Sequence, residues 1–340
     1  MTTENQRVFY LDLLRVIAIF GVVLAHVFCK EYYTASITSF NWYVAVVGDS
    51  ILHRNVPFFI MISGALFLRP EKEITLKKIL WKNIPRLLLA YVFWTIAYGI
   101  VDTSYRLYKG EAFSIYHLLS PHFHLWFLPL LMGIYLLIPL LRKISNEKRL
   151  LKYALCLWVI YVTPSIISSD LIIFNQFLFV FNMNFVVGFA GYFLLGYYLS
   201  NKVFSKKQYL VIYIAGALAL LLTVTGNLYL SISTGQTSGR FLFEMTPFNI
   251  ITASAVFVLV KQISPKVHTR TRRFVEYVRN DLFGIYLTHA LWLFVLNQSK
   301  FRDLGNHLIT LPIIAISIFF LSLYTTKLIR LIPGLKKVVE

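Results

Sequence analysis

Cysteine is nearly absent from this chain of 340 residues: Cys29 and Cys156 both fall at or inside apolar segments, near opposite faces, so no disulfide framework is indicated. Acidic residues are scarce as well, 15 Asp and Glu against 33 Lys and Arg, for a net charge of +18. Charged residues of either sign make up only 14% while 58% are hydrophobic and 16% aromatic, which excludes an ordinary soluble globular chain. There is no Walker P-loop, no GxSxG elbow and no GxGxxG, so nucleotide hydrolysis, serine-hydrolase chemistry and dinucleotide binding have no basis. No HExxH or Cys/His cluster supports a metal site. Repeats of fixed period, low-complexity tracts and a soluble domain are missing too. No cleavable signal peptide is apparent, because the first apolar run has full spanning length and no small-residue cleavage site follows it.

What is present is a series of long apolar runs. They predict an all-α, polytopic integral membrane protein of one domain, residues 1–340, with about ten spans near 9–29, 43–68, 84–102, 123–141, 151–168, 184–200, 208–227, 246–263, 280–297 and 307–329. Residues 169–183 are apolar but too short to cross after the fifth span, and read as re-entrant or interfacial. The basic excess could suggest nucleic acid, but its distribution argues otherwise. Of the 33 basic residues, 25 lie in alternate loops and at the termini. Lys30, Arg106, Lys109, Arg240, Lys300 and Arg302 face the other side, and Arg15 and Arg54 lie within spans. By the positive-inside rule both termini are cytoplasmic.

The first span, FYLDLLRVIAIFGVVLAHVFC, carries Asp12, Arg15 and His26. A charge at such depth costs about 2.5–3.5 kcal/mol on insertion scales, so it is retained for a reason. Eleven helical positions are three turns plus about 20°, which puts Arg15 and His26 on one face, roughly 16 Å apart along the axis. Asp12 lies about 60° from Arg15 on the same side. The alternative is an interfacial Asp12–Arg15 anchor and a packing histidine, which leaves the alignment unexplained.

The second span holds Asp49, His53 and Arg54, followed by Pro57, Ser63 and Gly64. Arg54 is expected at the depth of His26; the bland reading is an Asp49–His53 pair at i, i+4 with Arg54 reaching the interface. In KKILWKNIPRLLLAY, Arg86 follows Pro85 and is expected at a helix start, where a guanidinium beside free N–H groups suits a phosphate or carboxylate. Lys77, Lys78 and Lys82 read as positive-inside anchors. The fourth span opens with PHFHLWFLPLL. His122, His124 and Trp126 are expected at its outer face in a structural role, with the two histidines, at i, i+2 on a helix, pointing to different sides. Tyr286 and His289 are buried in NDLFGIYLTHALWLF, where each alone is more often packing than chemistry.

Taken in order, Arg15 and His26 as R-x10-H, FFIMISG at 58–64, the basic helix start ending at Arg86, HLWFL at 124–128 with Tyr135 and Pro139, GYFLLGYYL at 191–199 and GIYLTHALW at 284–292 resemble the membrane acyltransferase 3 family, over almost the whole chain. Chains of this length with ISGAL after the second span resemble surface-polysaccharide O-acetyltransferases. The resemblance implies transfer of an acetyl group from cytoplasmic acetyl-CoA to a hydroxyl of a cell-surface or lipid-linked glycan, in the inner membrane of a bacterial cell. It makes His26 the catalytic histidine, Arg15 its partner, and Arg86 an arginine of a donor-binding basic motif. Here the motif's companion is Lys82, not a second arginine. Many relatives carry a fused SGNH-type domain after the last span, which this chain lacks.

In that frame His26 removes a proton from the acceptor hydroxyl or carries the acyl group itself. Arg15 pairs with Asp12 or steadies the donor, and Arg54 is the candidate for stabilising the oxyanion. His124, Trp126, Tyr286, His289 and Ser63 are candidates for the acceptor site or pocket wall. Acetyl-CoA is the expected donor, with no metal. The expected partners are the bilayer and a glycan or lipid-linked sugar; nucleic acid is not one, and a homodimer is kept in view. O-succinyl transfer to exopolysaccharide, a transporter or flippase of a lipid-linked glycan, and a non-catalytic scaffold or sensor are the rival readings.

Overall fold

The computed structural model describes residues 3–72, 74–163, 184–297 and 306–340. The reading of 169–183 as re-entrant lies outside them. The described residues form helices joined by turns and loops, with no strand among them. That is the solution lipid imposes, since a helix satisfies its own N–H and C=O groups where water is absent. The helices are α1 (Thr3–Thr34), α2 (Phe40–Leu52), α3 (Asn55–Phe67), α4 (Leu76–Tyr108), α5 (Ile115–Leu119), α6 (Phe127–Asn146) and α7 (Lys148–Val162), then α8 (Asn184–Asn201), α9 (Lys206–Thr234), α10 (Pro247–Ile263), α11 (Thr269–Val278), α12 (Leu282–Asn297) and α13 (His307–Leu331). Among the described residues, seven helical stretches are long and apolar enough to cross a bilayer. This is a multi-pass membrane architecture.

Helix α1 is the axis of the fold. Two-thirds of its apolar stretch (67%) is buried inside the protein, against 17% for α9. It packs on α2, α3, α10, α11, α12 and α13. On α9, by contrast, Leu210, Val211, Leu218 and Leu221 are exposed, as lipid-facing positions should be. Three close pairs surround the axis: α3 on α8, α9 on α10 and α12 on α13. The first is the tightest because each helix offers a glycine. Gly64 meets the Phe193 backbone and Gly196 the Met61 backbone, so a Cβ at either would collide with main chain. Small residues let backbones approach in lipid, where dispersion contacts must stand in for the hydrophobic effect. The glycines of the ISG and GYFLLG stretches are therefore packing elements.

Two of the expected helices differ in a way that matters for the site. The second span is not one continuous helix: it breaks after Leu52 and restarts at Asn55. The break is held by side chains. Arg54 donates from Nη2 to Ser50 O at 2.6 Å and from Nη1 to Ile51 O at 2.8 Å, while Asn55 Nδ2 donates to Leu52 O. A cation on the last carbonyls of α2 satisfies them and complements the negative end of the helix dipole. The third span does not begin at Pro85. It begins at Leu76, where Thr75 accepts from Lys78 N, and runs through a π-helical turn at Ile79–Asn83. The wider turn accommodates Pro85, which has no N–H to give and would crowd an ordinary helix. Arg86 therefore sits within a continuous helical stretch and not at its first turn.

Candidate active site

Two cavities meet in the core against α1. One, of about 170 Å³, is lined by His26, His53, Asn55, His124, Trp126 and Glu244, among others. The other, of about 330 Å³, is lined by Arg15, Ser63, Arg86, Tyr135, Arg279 and Glu340, among others. Phe59, Phe127 and Tyr286 belong to both walls. The three apolar or ring side chains form the partition between a histidine cavity and an arginine cavity, and α1 runs along both because Arg15 and His26 share one continuous helix.

Behind two arginines of the arginine cavity lies a buried carboxyl group. Asp12 is 6% exposed and meets Arg15 Nη1 at 2.9 Å and Arg279 Nη1 at 3.9 Å. One carboxylate thus fixes two guanidiniums, from α1 and from the turn between α11 and α12, and Arg86 completes a set of three from α4. Three guanidiniums beside Asp12 and Glu340, the latter already paired with Arg330, leave a positive surplus, and the planar fork of each suits phosphate or carboxylate oxygens. Below this site the chain's last residues are pinned: Trp94 Nε1 donates to Val338 O at 2.9 Å, Val339 is fully buried, and Arg330 joins Asp281 to Glu340. Lys82, by contrast, is exposed and does not line the cavity.

In the histidine cavity, His26 lies face to face with His289, ring centroids 5.3 Å apart and planes within 14°, and takes the edge of Phe123 at 4.8 Å. It forms no hydrogen bond or ion pair among the described residues. His289 is fully buried, and its Nδ1 is 2.6 Å from Tyr286 O. A carbonyl only accepts, so Nδ1 carries the proton and Nε2 is left with a lone pair and no partner. Tyr286 donates its hydroxyl to His124 O, tying α12 to the segment before α6.

That segment corrects a second expectation. Helix α6 starts at Phe127, so His122 and His124 occupy a turn and not a helix. The turn points them together, with Nδ1 to Nδ1 at 2.9 Å, and His122 stacks on Tyr98 at 4.4 Å. His124 Nε2 is buried and unpartnered. Burial pushes the His122 imidazole down to about 4, with Asp102 acting weakly the other way.

The structure brings His26, His124, Trp126 and Tyr286 to one cavity, with His289 stacked behind His26; it gathers Asp12, Arg15 and Arg86 around the other, and assigns Ser63 to the latter. Arg54 does not line the histidine cavity: its guanidinium is taken up by helix carbonyls, and its neighbours His53 and Asn55 form the wall. Depth alone could not reveal this, because the helix break sets where each side chain points. Sequence reasoning missed Glu244 and Arg279. In the sequence Arg279 is one of many basic loop residues, and Glu244 carries one signal, an acidic residue beside an apolar span in a chain with few of them.

A family model described as an acyltransferase domain matches residues 8–328. No curated protein and no solved structure matches the chain.

Proposed function

This chain belongs to the membrane acyltransferase 3 family, and from that premise we propose that it is an integral-membrane O-acetyltransferase. In this reading it moves an acetyl group from cytoplasmic acetyl-CoA to a hydroxyl of a cell-surface or lipid-linked glycan, in the inner membrane of a bacterial cell. Both termini are cytoplasmic, residues 1–340 form one domain, and the helices of the described residues make up about ten spans.

The observation that carries the reading is the pair of cavities with one partition. Arg15, Arg86 and Arg279 offer cations to an anionic donor, while His26 lines the cavity on the far side of Phe59, Phe127 and Tyr286. A thioester is at the end of a long arm on coenzyme A, so its phosphates and its reactive carbonyl bind well apart. The arginine cavity holds the phosphates, the arm passes the partition, and the carbonyl meets His26. Trp126 offers a flat apolar face to an acceptor ring in the same cavity. Donor and acceptor thereby meet at one imidazole from opposite sides, which positions the reacting atoms without exposing the thioester to bulk water.

Purified protein in detergent, given radiolabelled acetyl-CoA with and without a lipid-glycan extract, tests the proposal beside His26→Ala. Acceptor-dependent transfer in the wild type, abolished in a folded, donor-binding variant, is the expected result. Absence of donor binding and turnover in both proteins overturns it and favours transport.

A further inference from the structure

The second imidazole of the histidine cavity has the partners that His26 lacks. His53 Nδ1 is 3.6 Å from Asp49 Oδ2, one turn earlier on the same helix, and His53 Nε2 is 3.7 Å from Glu244 Oε1. Asp49 is 9% exposed. Glu244 comes from far along the chain, on the segment between α9 and α10. That segment is fixed by side chains: Tyr192 donates to Glu244 O, Asn249 Nδ2 donates to Leu242 O at 2.8 Å and Phe243 O at 2.7 Å, and Phe241 N donates to Asn227 Oδ1 at 3.1 Å. A non-helical segment beside the membrane core is thus held, by buried Asn227 and Asn249, in the one place where its carboxylate reaches His53. On the other side, the α2–α3 break secured by Arg54 and Asn55 is what turns His53 into the cavity. Two independent devices therefore converge on one imidazole.

An imidazole between carboxylates and one without any suit different tasks. The first is oriented and gains a stabilised imidazolium when it takes a proton, as a general base requires. The second, stacked on His289 and met by the edge of Phe123 with no ion pair among the described residues, keeps its lone pair for bonding to carbon. Resting on the acyltransferase reading above, we propose that the two histidines divide the reaction: His26 carries the acyl group, and His53, positioned by Asp49 and Glu244, is the general base for the acceptor hydroxyl.

A ring nitrogen of His26 attacks the thioester carbonyl, the C–S bond breaks, and the thiolate leaves as thiol with the proton from the other ring nitrogen. The product is a neutral acyl-imidazole. The acceptor hydroxyl then attacks the acyl carbon while its proton passes to His53 Nε2, the ring atom on the cavity side. The C–N bond breaks, its electron pair returns to His26, and His26 recovers the proton from His53. Both rings end neutral. The Asp49 carboxylate, 3.6 Å from Nδ1, orients the ring by charge, and Glu244 faces the transient imidazolium. At 3.7 Å, Glu244 is too far from Nε2 for a direct hydrogen bond, which leaves Nε2 open to the hydroxyl.

The test separates the half-reactions in the full-length protein. His53→Asn, supplied with radiolabelled acetyl-CoA alone, is expected to release about one equivalent of thiol and to retain label on His26. With glycerol as the probe hydroxyl, transfer should fall at least about 100-fold. Hydroxylamine, a nucleophile that needs no base, should discharge the label from wild type and variant alike. Glu244→Gln keeps the imidazole and guards against misfolding. It should slow transfer to glycerol about tenfold and move the pH profile of that step alone. The groups that bear on that profile are Asp49 and Arg54 from the segment of His53, Glu244 from the loop, and His26 and His124 across the cavity. Wild-type transfer by His53→Asn overturns the assignment, as does a folded variant that loses thiol release along with transfer. If the wild type itself neither releases thiol nor binds label, the acyltransferase reading fails and the division of labour with it.

Discussion

His26 and His289, from helices far apart in the chain, lie with their rings stacked at 5.3 Å, and the outer ring is fixed by its own hydrogen bond to Tyr286 O. The ring proposed to carry the chemistry is thus aimed by one that does not line the cavity. Replacing His289 with alanine should lower kcat about 10- to 100-fold with little change in the donor KM, because the loss is of orientation. Steady-state kinetics on the folded variant check this. An equal effect on donor affinity would point to a packing collapse instead.

The donor side makes a different prediction. If the arginine cavity holds the donor as proposed, Arg86→Ala and Arg279→Ala should each raise the donor KM about tenfold, about 1.4 kcal/mol, with kcat nearly preserved, since each would remove a charge-assisted contact to it. Lys82→Ala should leave both constants unchanged, because Lys82 is exposed outside the cavity.

Arg54 should prove structural. Its side chain caps the buried Ser50 O and the part-buried Ile51 O, so Arg54→Ala takes both donors away and should cost about 1–3 kcal/mol, read as a lower thermal midpoint in detergent. The fraction that remains folded should keep its thiol-release rate.

Gly64→Val places side-chain atoms in the Phe193 backbone and should abolish the α3–α8 contact, so that little folded protein is recovered by size exclusion. Ser63→Ala beside it should fold normally.

The loop histidine His122 predicts a pH dependence of stability. Its folded value of about 4 lies below the ordinary value of about 6.5, so between these the unfolded chain binds a proton that the folded chain refuses. Stability should be constant above about pH 6.5 and fall as the pH drops toward 4. His122→Phe, which keeps the ring against Tyr98, should flatten that stretch of the curve of thermal midpoint against pH.

The sequence by itself determined that this is a helical, multi-pass membrane protein, because long apolar runs admit few other structures in a solvent without hydrogen-bond partners. It also determined that Asp12, Arg15 and His26 share one face of one helix, because helical periodicity is local. Tertiary structure decided which residues meet. Asp12 gained Arg279, Arg86 lost its expected helix start to a π turn, and Arg54 turned onto carbonyls while His53 faced the cavity. No local pattern brings Glu244 to His53 or His289 to His26. Those contacts depend on how helices distant in sequence pack against α1, and such packing is set by the shapes of many side chains at once.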